Sequence, residues 1–419
     1  MLLLAACGAA QVAPPSHQPA PPAPAPAPAP APKPGLSRKP TGQEAALIDR
    51  LARDTERLRG LRFRAPVEVR IQDRTAMRAY VESALDEAEL ERTRRRYLAL
   101  GLLDPALDVR ELIVGLMEEE LVGYYDPEQK QLAVRNDVAD ALAHQAAPQG
   151  DLEWRATVVH ELVHALQDQH LGLSTTMKAP RTTDAENAFG ALIEGDATLV
   201  MLGYVAEGQG ATLAALVSDT AALARSLHDS PLAAGGRLAR APALVREPLL
   251  FRYREGAVYV ARLFARGGWD AVNQAHHRLP ASTFLVREGG ARTYALAPPE
   301  FQPTGAACRS VDRDVLGALE VSAALAHPGL SGAELARGWR GDAYRVLDCG
   351  GEDASLWFLR FSSAALAKRV RAALKDGEPG LQRKIAQHGA SLMVSRQLDA
   401  GLVAQLEPAF RSWASALPD

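Results

Sequence analysis

Apolar positions recur every three to four residues along most of the chain, and every second residue in a few short stretches. The spacing therefore predicts a mainly helical protein with limited sheet. Thr41 with Glu44 reads as a capping box opening an amphipathic helix over 42–59. Val67, Val69 and Ile71 alternate with polar residues and predict a strand at 66–72. A charged helix follows to about Leu98, and another covers 108–120. In 121–135, two apolar runs flank Asp126-Pro127, which predicts a hairpin. Helical spacing then dominates at 152–170, 185–207, 211–227, 247–266 and 269–278.

Beyond about residue 300 the texture changes. Strand-like segments at 344–348, 355–361 and 389–397 alternate with helical ones at 363–375 and 402–416. The expected class is α+β and predominantly helical. A large region over 41–305 would be followed by a smaller α+β module over 306–419.

Charge changes little in this picture. Lys and Arg number 47 against 50 Asp and Glu, a net charge of −3, so the basic excess typical of nucleic-acid binders is missing. Three cysteines are too few for a disulfide scaffold and form no CxxC cluster. The 28 prolines are unevenly spread, and residues 14–34 read PPSHQPAPPAPAPAPAPAPKP. Such a run buries nothing and favours extended polyproline II, a semi-rigid spacer.

Ahead of this spacer, Leu4-Ala5-Ala6-Cys7 resembles a bacterial lipobox. The resemblance implies a signal over 1–7, acylation of Cys7 and a linker over 8–40 holding the folded part away from a membrane. It places the protein in the bacterial cell envelope, as an outer-membrane lipoprotein facing the periplasm or the surface. Against it, the apolar stretch is short and no Lys or Arg precedes it. A plain apolar N-terminus that happens to contain a cysteine is the competing reading. No later stretch has about 18 uninterrupted apolar residues, so the expected attachment is a tether and not a span.

The segment WRATVVHELVHALQDQH (154–170) carries the chemistry, because it contains His160-Glu161-Leu162-Val163-His164. On a helix, residues i and i+4 lie about 40° apart and one turn along, so both imidazoles can hold one ion. Glu161 follows the first ligand and can take the proton of a water activated at the open metal position. Two histidines and a glutamate among Val158, Val159, Leu162, Val163 and Leu166 are costly to bury unless something binds them. The competing reading is a surface helix with an incidental match.

Catalytic zinc takes three protein ligands. His170 stands where the metzincin pattern has its third histidine, but the glycine that breaks the helix there is Gln167 in this chain. On a continuous helix His170 lies about 15 Å from His160 along the axis, out of reach. Glu194, in the apolar run AFGALIEGDATLVML (188–202), is the better candidate. Its neighbours Gly190, Ala191 and Ala197 are small and would let its helix approach the HExxH helix. Asp196 points about 200° away and reads as a partner of a ligand or of an arginine. Asp184 and Glu186 read as helix-start residues. His228, His276 and His277 read as surface or capping residues.

His160, Glu161, His164 and Glu194 resemble the gluzincins, zinc metallopeptidases in which two helices supply His, His and Glu. The likeness is closer to a poorly characterised bacterial lipoprotein group. It is carried by GYYDP (123–127), HELVHALQDQH (160–170), EGDA (194–197), GGWDAVN (267–273) and GWRGD (338–342). It implies a zincin-like catalytic core with an edge hairpin, a helical second lobe, Zn2+ as cofactor, and a peptide or protein substrate. It also implies a Tyr or His steadying the oxyanion, for which Tyr253 is a candidate beside its reading as packing. The chain departs from the group at Pro280-Ala281-Ser282-Thr283-Phe284-Leu285, where a Glu and a His-Pro element are missing.

The expected function is a lipid-anchored zinc metallopeptidase with Glu161 as general base. The alternatives are a non-catalytic envelope lipoprotein with a structural or vestigial zinc site, and a binding module without metal. Cys308 and Cys349 remain as a pair able to oxidise outside the cytoplasm.

Overall fold

A computed structural model describes residues 35–144, 148–179, 181–229, 236–289, 308–376 and 383–416. Cys7, the lipobox, the run over 14–34 and the division near 305 lie outside the described residues.

Two sheets sit among helices. The first holds β1 (Ser37–Arg38), β2 (Glu68–Gln72), β3 (Gly123–Asp126) and β4 (Gln131–Arg135) in the order β1-β2-β4-β3. β2 runs parallel to β4 and β3 antiparallel to it, so the hairpin strand β3 forms the sheet's edge. Helix α1 (Gly42–Arg59) starts with both halves of the Thr41/Glu44 capping box and ends at Gly60 in the left-handed region, φ 70°.

The charged stretch predicted as one helix is two, α2 (Arg74–Ala84) and α3 (Glu87–Leu100). The Asp86 carboxylate accepts the Glu89 N–H and starts α3 afresh, a local bond that competes with helix continuation. After α4 (Val109–Glu120) and α5 (Asn136–His144) comes α6 (Pro148–Leu171), which carries the HExxH segment. The short α7 (Leu173–Met177) leads to α8 (Thr183–Gly208). α8 is long and apolar enough to cross a membrane, but 78% of its most apolar window is buried inside this fold, as in a core helix.

The predicted helix over 211–227 is split into α9 (Leu213–Val217) and α10 (Thr220–Asp229). After α11 (Gly236–Arg240), the two helices predicted at 247–266 and 269–278 form one kinked rod, α12 (Ala243–His277). Gly267 and Gly268 leave helical geometry at the kink, and Gly268 has φ 60°. The kink turns Trp269 onto α1, where its ring covers the Arg59 guanidinium at 4.4 Å and its Nε1–H donates to the Leu58 carbonyl.

Past α13 (Thr283–Glu288) the second sheet has five antiparallel strands: β5 (Cys308–Asp314), β6 (Trp339–Cys349), β7 (Asp353–Phe361), β8 (Arg383–His388) and β9 (Ser391–Arg396). Their order is β5-β6-β7-β9-β8. Helices α14 (Gly317–Leu325), α15 (Gly332–Gly338) and α16 (Ala364–Asp376) cover one face, and α17 (Ala400–Ala416) the other. Trp357, Leu359 and Phe361 pack on the first face and Leu356 and Phe358 on the second, which is why β7 reads as an unbroken apolar run. β5, β8, α13, α14 and α15 were not legible in the chain's periodicity.

This sheet shares its core with the first region through Tyr97, Leu100 and Leu244. Cys308 and Cys349, cross-strand partners on β5 and β6, form a disulfide. The α+β, predominantly helical class is borne out.

Candidate metal centre

α6 and α8 lie against each other through Val159, Leu162, Val163, Ala197 and Val200. The small residues of α8 act differently from the expectation. Gly190 and Ala191 face α12, not the HExxH helix: a Cβ on Gly190 would meet Arg252, and the Ala191 carbonyl fills the space beside Gly256. Gly195 is the closest approach, since a Cβ there would lie 2.2 Å from the Gly256 carbonyl carbon. Only Ala197 of the three predicted spacers packs on the α6 side. α8 is thus pinned between α6 and α12 with its acidic residues at fixed heights.

That packing brings His160, His164 and Glu194 together. Their ligand atoms all lie within 4.8 Å of one another. His160 Nε2 is 3.1 Å from Glu194 Oε2, His164 Nε2 is 3.5 Å from the same oxygen, and the two Nε2 atoms are 3.2 Å apart. Ligands on a tetrahedral ion with bonds of 2.0–2.1 Å stand about 3.3 Å apart, so this triangle fits such an ion. All three residues are buried. Burial would raise the Glu194 carboxyl, but the histidines outweigh it and hold it well below the usual range. Burial also opposes a charge on His164, yet Glu194 overcomes it and pushes the imidazole up to about 9. Burial lowers His160. The donors together create a place that holds positive charge.

Glu161 lies between α6 and the edge strand. Its Oε2 accepts the Tyr125 N–H at 3.1 Å, while Oε1 is buried with no hydrogen-bond partner among the described residues. A Cβ on Gly123 would come within 3.6 Å of the Glu161 side chain, so glycine leaves room for this carboxylate. Burial pushes the Glu161 carboxyl well up. Tyr125 is fixed in turn, its hydroxyl donating to Asp168 Oδ2, which also receives Lys130 Nζ at 2.7 Å.

A buried relay supports the ligands, and Asp196, expected to partner a ligand or an arginine, is part of it. His164 Nδ1 donates to Gln167 Oε1 at 2.9 Å, which turns Nε2 toward Glu194 and would make it the ligating nitrogen for an ion. Gln167 Nε2 donates to the Ile193 carbonyl at 3.0 Å and to Asp196 Oδ2 at 3.2 Å. Asp196 pairs with Arg59 (Nε to Oδ1, 2.7 Å) and with His276 Nε2 at 2.9 Å. Burial works against the Asp196 charge, but Arg59 and His276 keep its carboxyl well below the usual range. Arg59 also donates to Asn273 Oδ1 at 2.7 Å. The GGWDAVN stretch thus supplies Trp269 and Asn273 to clamp Arg59.

Two expectations are corrected and one is extended. His276, read as surface or capping, is buried and bonded to Asp196. Asp184, read as a helix-start residue, does stand in the first turn of α8, where it is buried and accepts the Thr283 N–H and hydroxyl, while Thr182 caps the helix. Gln167, read only as the residue that excludes a metzincin pattern, is the partner that orients His164.

His170 points away, its Nε2 donating to the Arg62 carbonyl. Glu186 pairs with Arg181. His228 and His277 are exposed. Tyr253 on α12 is half-buried with its ring 6.0 Å from that of His160. In the departing segment, Ser282 caps α13 and Thr283 holds Asp184. The chain matches no family model, no curated protein and no solved structure.

Proposed function

We propose that the protein is a zinc metallopeptidase of the gluzincin type, hydrolysing peptide bonds with Glu161 as general base. The observation that carries this reading is the His160–His164–Glu194 triangle beside the unpartnered Oε1 of Glu161. His160, His164 and Glu194 would hold the ion. Bound there, zinc would acidify water and polarise a carbonyl. Glu161 would take the attacking water's proton on Oε1 and pass it to the departing amine, while the Tyr125 N–H anchors Oε2. Its burial makes that carboxylate the stronger proton acceptor. The edge strand β3 would pair with an extended substrate backbone, and Tyr253 would donate to the developing oxyanion. Acylation of Cys7 and an envelope location belong to the same proposal and rest on the sequence pattern alone.

A structural ion is the second reading, favoured by the near-complete burial of the four residues: His160 0%, Glu161 1%, His164 5% and Glu194 1% exposed. Metal analysis and peptide hydrolysis on wild type and Glu161→Gln separate the two. The peptidase reading expects near-stoichiometric zinc in both and hydrolysis only in the wild type. Zinc in both with hydrolysis in neither favours the structural ion; absence of zinc overturns both.

A further inference from the structure

A cavity of about 670 Å³ is lined not by the metal centre but by residues of α10, α12, α13, α14 and α15. Its walls are short aliphatic residues, such as Ala224, Val258 and Ala323, studded with charge. Five guanidiniums line it, those of Arg246, Arg254, Arg262, Arg287 and Arg337, against the carboxylates of Glu247, Glu255 and Glu288.

The carboxylates are fewer than the guanidiniums and pair with part of that set. Glu247 is taken up by its neighbour Arg246 at 3.0 Å. Glu255 lies 3.6 Å from both Arg287 and His228, within ion-pair distance of each. Arg262 spends one N–H on the Arg287 carbonyl. Neither Arg262 nor Arg337 forms an ion pair among the described residues. Five guanidiniums against three carboxylates leave an excess of positive charge beside a cavity of ligand size, suited to a doubly charged oxyanion, which guanidinium forks grip in pairs.

We infer that this cavity binds a small dianionic ligand bearing phosphate or carboxylate groups, bridging α12 to the helices that cover the second sheet. The site is separate from the proposed peptidase chemistry and stands without it.

The test is calorimetric titration of the full chain at constant ionic strength, with inorganic phosphate in one arm and succinate in the other. The expected result is saturable binding of at least one anion below about 1 mM. Arg262→Gln and Arg337→Gln should each weaken it by about tenfold, and Arg57→Gln, on α1 and outside the cavity's lining, should change it less than about twofold. Arg337 is exposed at the end of a short helix, so its variant should keep the wild-type melting temperature, which is measured alongside. The stronger arm names the ligand's chemistry, and equal arms with the same losses still support a shared oxyanion site. No saturation in either arm overturns the inference, as does binding that both cavity variants leave intact.

Discussion

His164 and Gln167, three residues apart on α6, are joined by a 2.9 Å hydrogen bond that fixes which imidazole nitrogen faces Glu194. Gln167→Leu keeps the volume and removes the acceptor, freeing the ring to turn or change tautomer. Partners of this kind are worth roughly 10–100-fold in metal affinity. Competition with a chromophoric chelator should show zinc binding weakened within that range, with the fold retained by circular dichroism. Unchanged affinity would mean that Gln167 only fills space.

Glu194→Ala removes a ligand instead of its support. Metal affinity should fall much further than in Gln167→Leu, and the zinc-dependent rise in melting temperature should vanish, because an ion that binds only the folded state stabilises by mass action. Differential scanning with and without chelator measures both. A wild-type response to chelator in Glu194→Ala would place the third ligand elsewhere.

Asp196 and Arg59 form an ion pair with both side chains fully buried. Removing one partner strands the other charge, at a cost of about 3–5 kcal/mol. Asp196→Leu should therefore destabilise strongly, while Asp196→Leu combined with Arg59→Met should recover much of the loss. Urea unfolding of both variants in the zinc-free state reads this coupling apart from metal binding. Additive losses would show that the pair contributes no interaction of its own.

The donors were legible because helix geometry alone stacks His160 over His164, and because a carboxylate inside an apolar helix needs a partner. Of the relay behind them only Asp196 was legible, as a partner of a ligand or of an arginine. Arg59 and Asp196 are 137 residues apart and His276 is 80 beyond Asp196, so no local spacing connects them. His276 carried one weak signal, its place after the GGWDAVN stretch. The small residues of α8 were visible, but a single helix cannot say which neighbour they face, and two of the three face α12. In the second sheet, β6, β7 and β9 announced themselves through apolar side chains, whereas β5 (CRSVDRD) and β8 (RKIAQH) are edge strands with polar sequences.

Three buried carboxyls give the stability a definite pH slope. Burial pushes Asp184 and Glu320 up to about 7 and Asp342 to about 6. Each therefore holds its proton more tightly in the folded chain than in the unfolded one. Their favourable contribution is complete below about pH 4, the ordinary carboxyl range, and is lost as pH rises through 6 to 7. Unfolding free energy should fall between pH 5 and 7.5, and Glu320→Gln should flatten part of that fall. Urea midpoints across the range measure it; a slope that rises with pH, or one that Glu320→Gln leaves unchanged, would refute the assignment.

Gly195 and Gly42 make opposite predictions for the same change. Alanine is favoured over glycine inside a helix by about 1 kcal/mol, so Gly→Ala should stabilise wherever there is room. At Gly42 a Cβ meets nothing within 4 Å, and Gly42→Ala should leave the melting temperature level or raise it. At Gly195 the Cβ would lie 2.2 Å from the Gly256 carbonyl carbon and 2.3 Å from its oxygen. The obstacle is backbone, so no rotamer relieves it, and α8 must part from α12. Such overpacking costs about 1–3 kcal/mol or more, which outweighs the propensity gain. Because Glu194 precedes Gly195 and shares its helix, the same shift should draw the carboxylate from the two Nε2 atoms. Gly195→Ala should thus lower both the melting temperature and the zinc affinity, while Gly42→Ala lowers neither. Equal behaviour of the two variants would mean that contact between α8 and α12 does not set the height of Glu194.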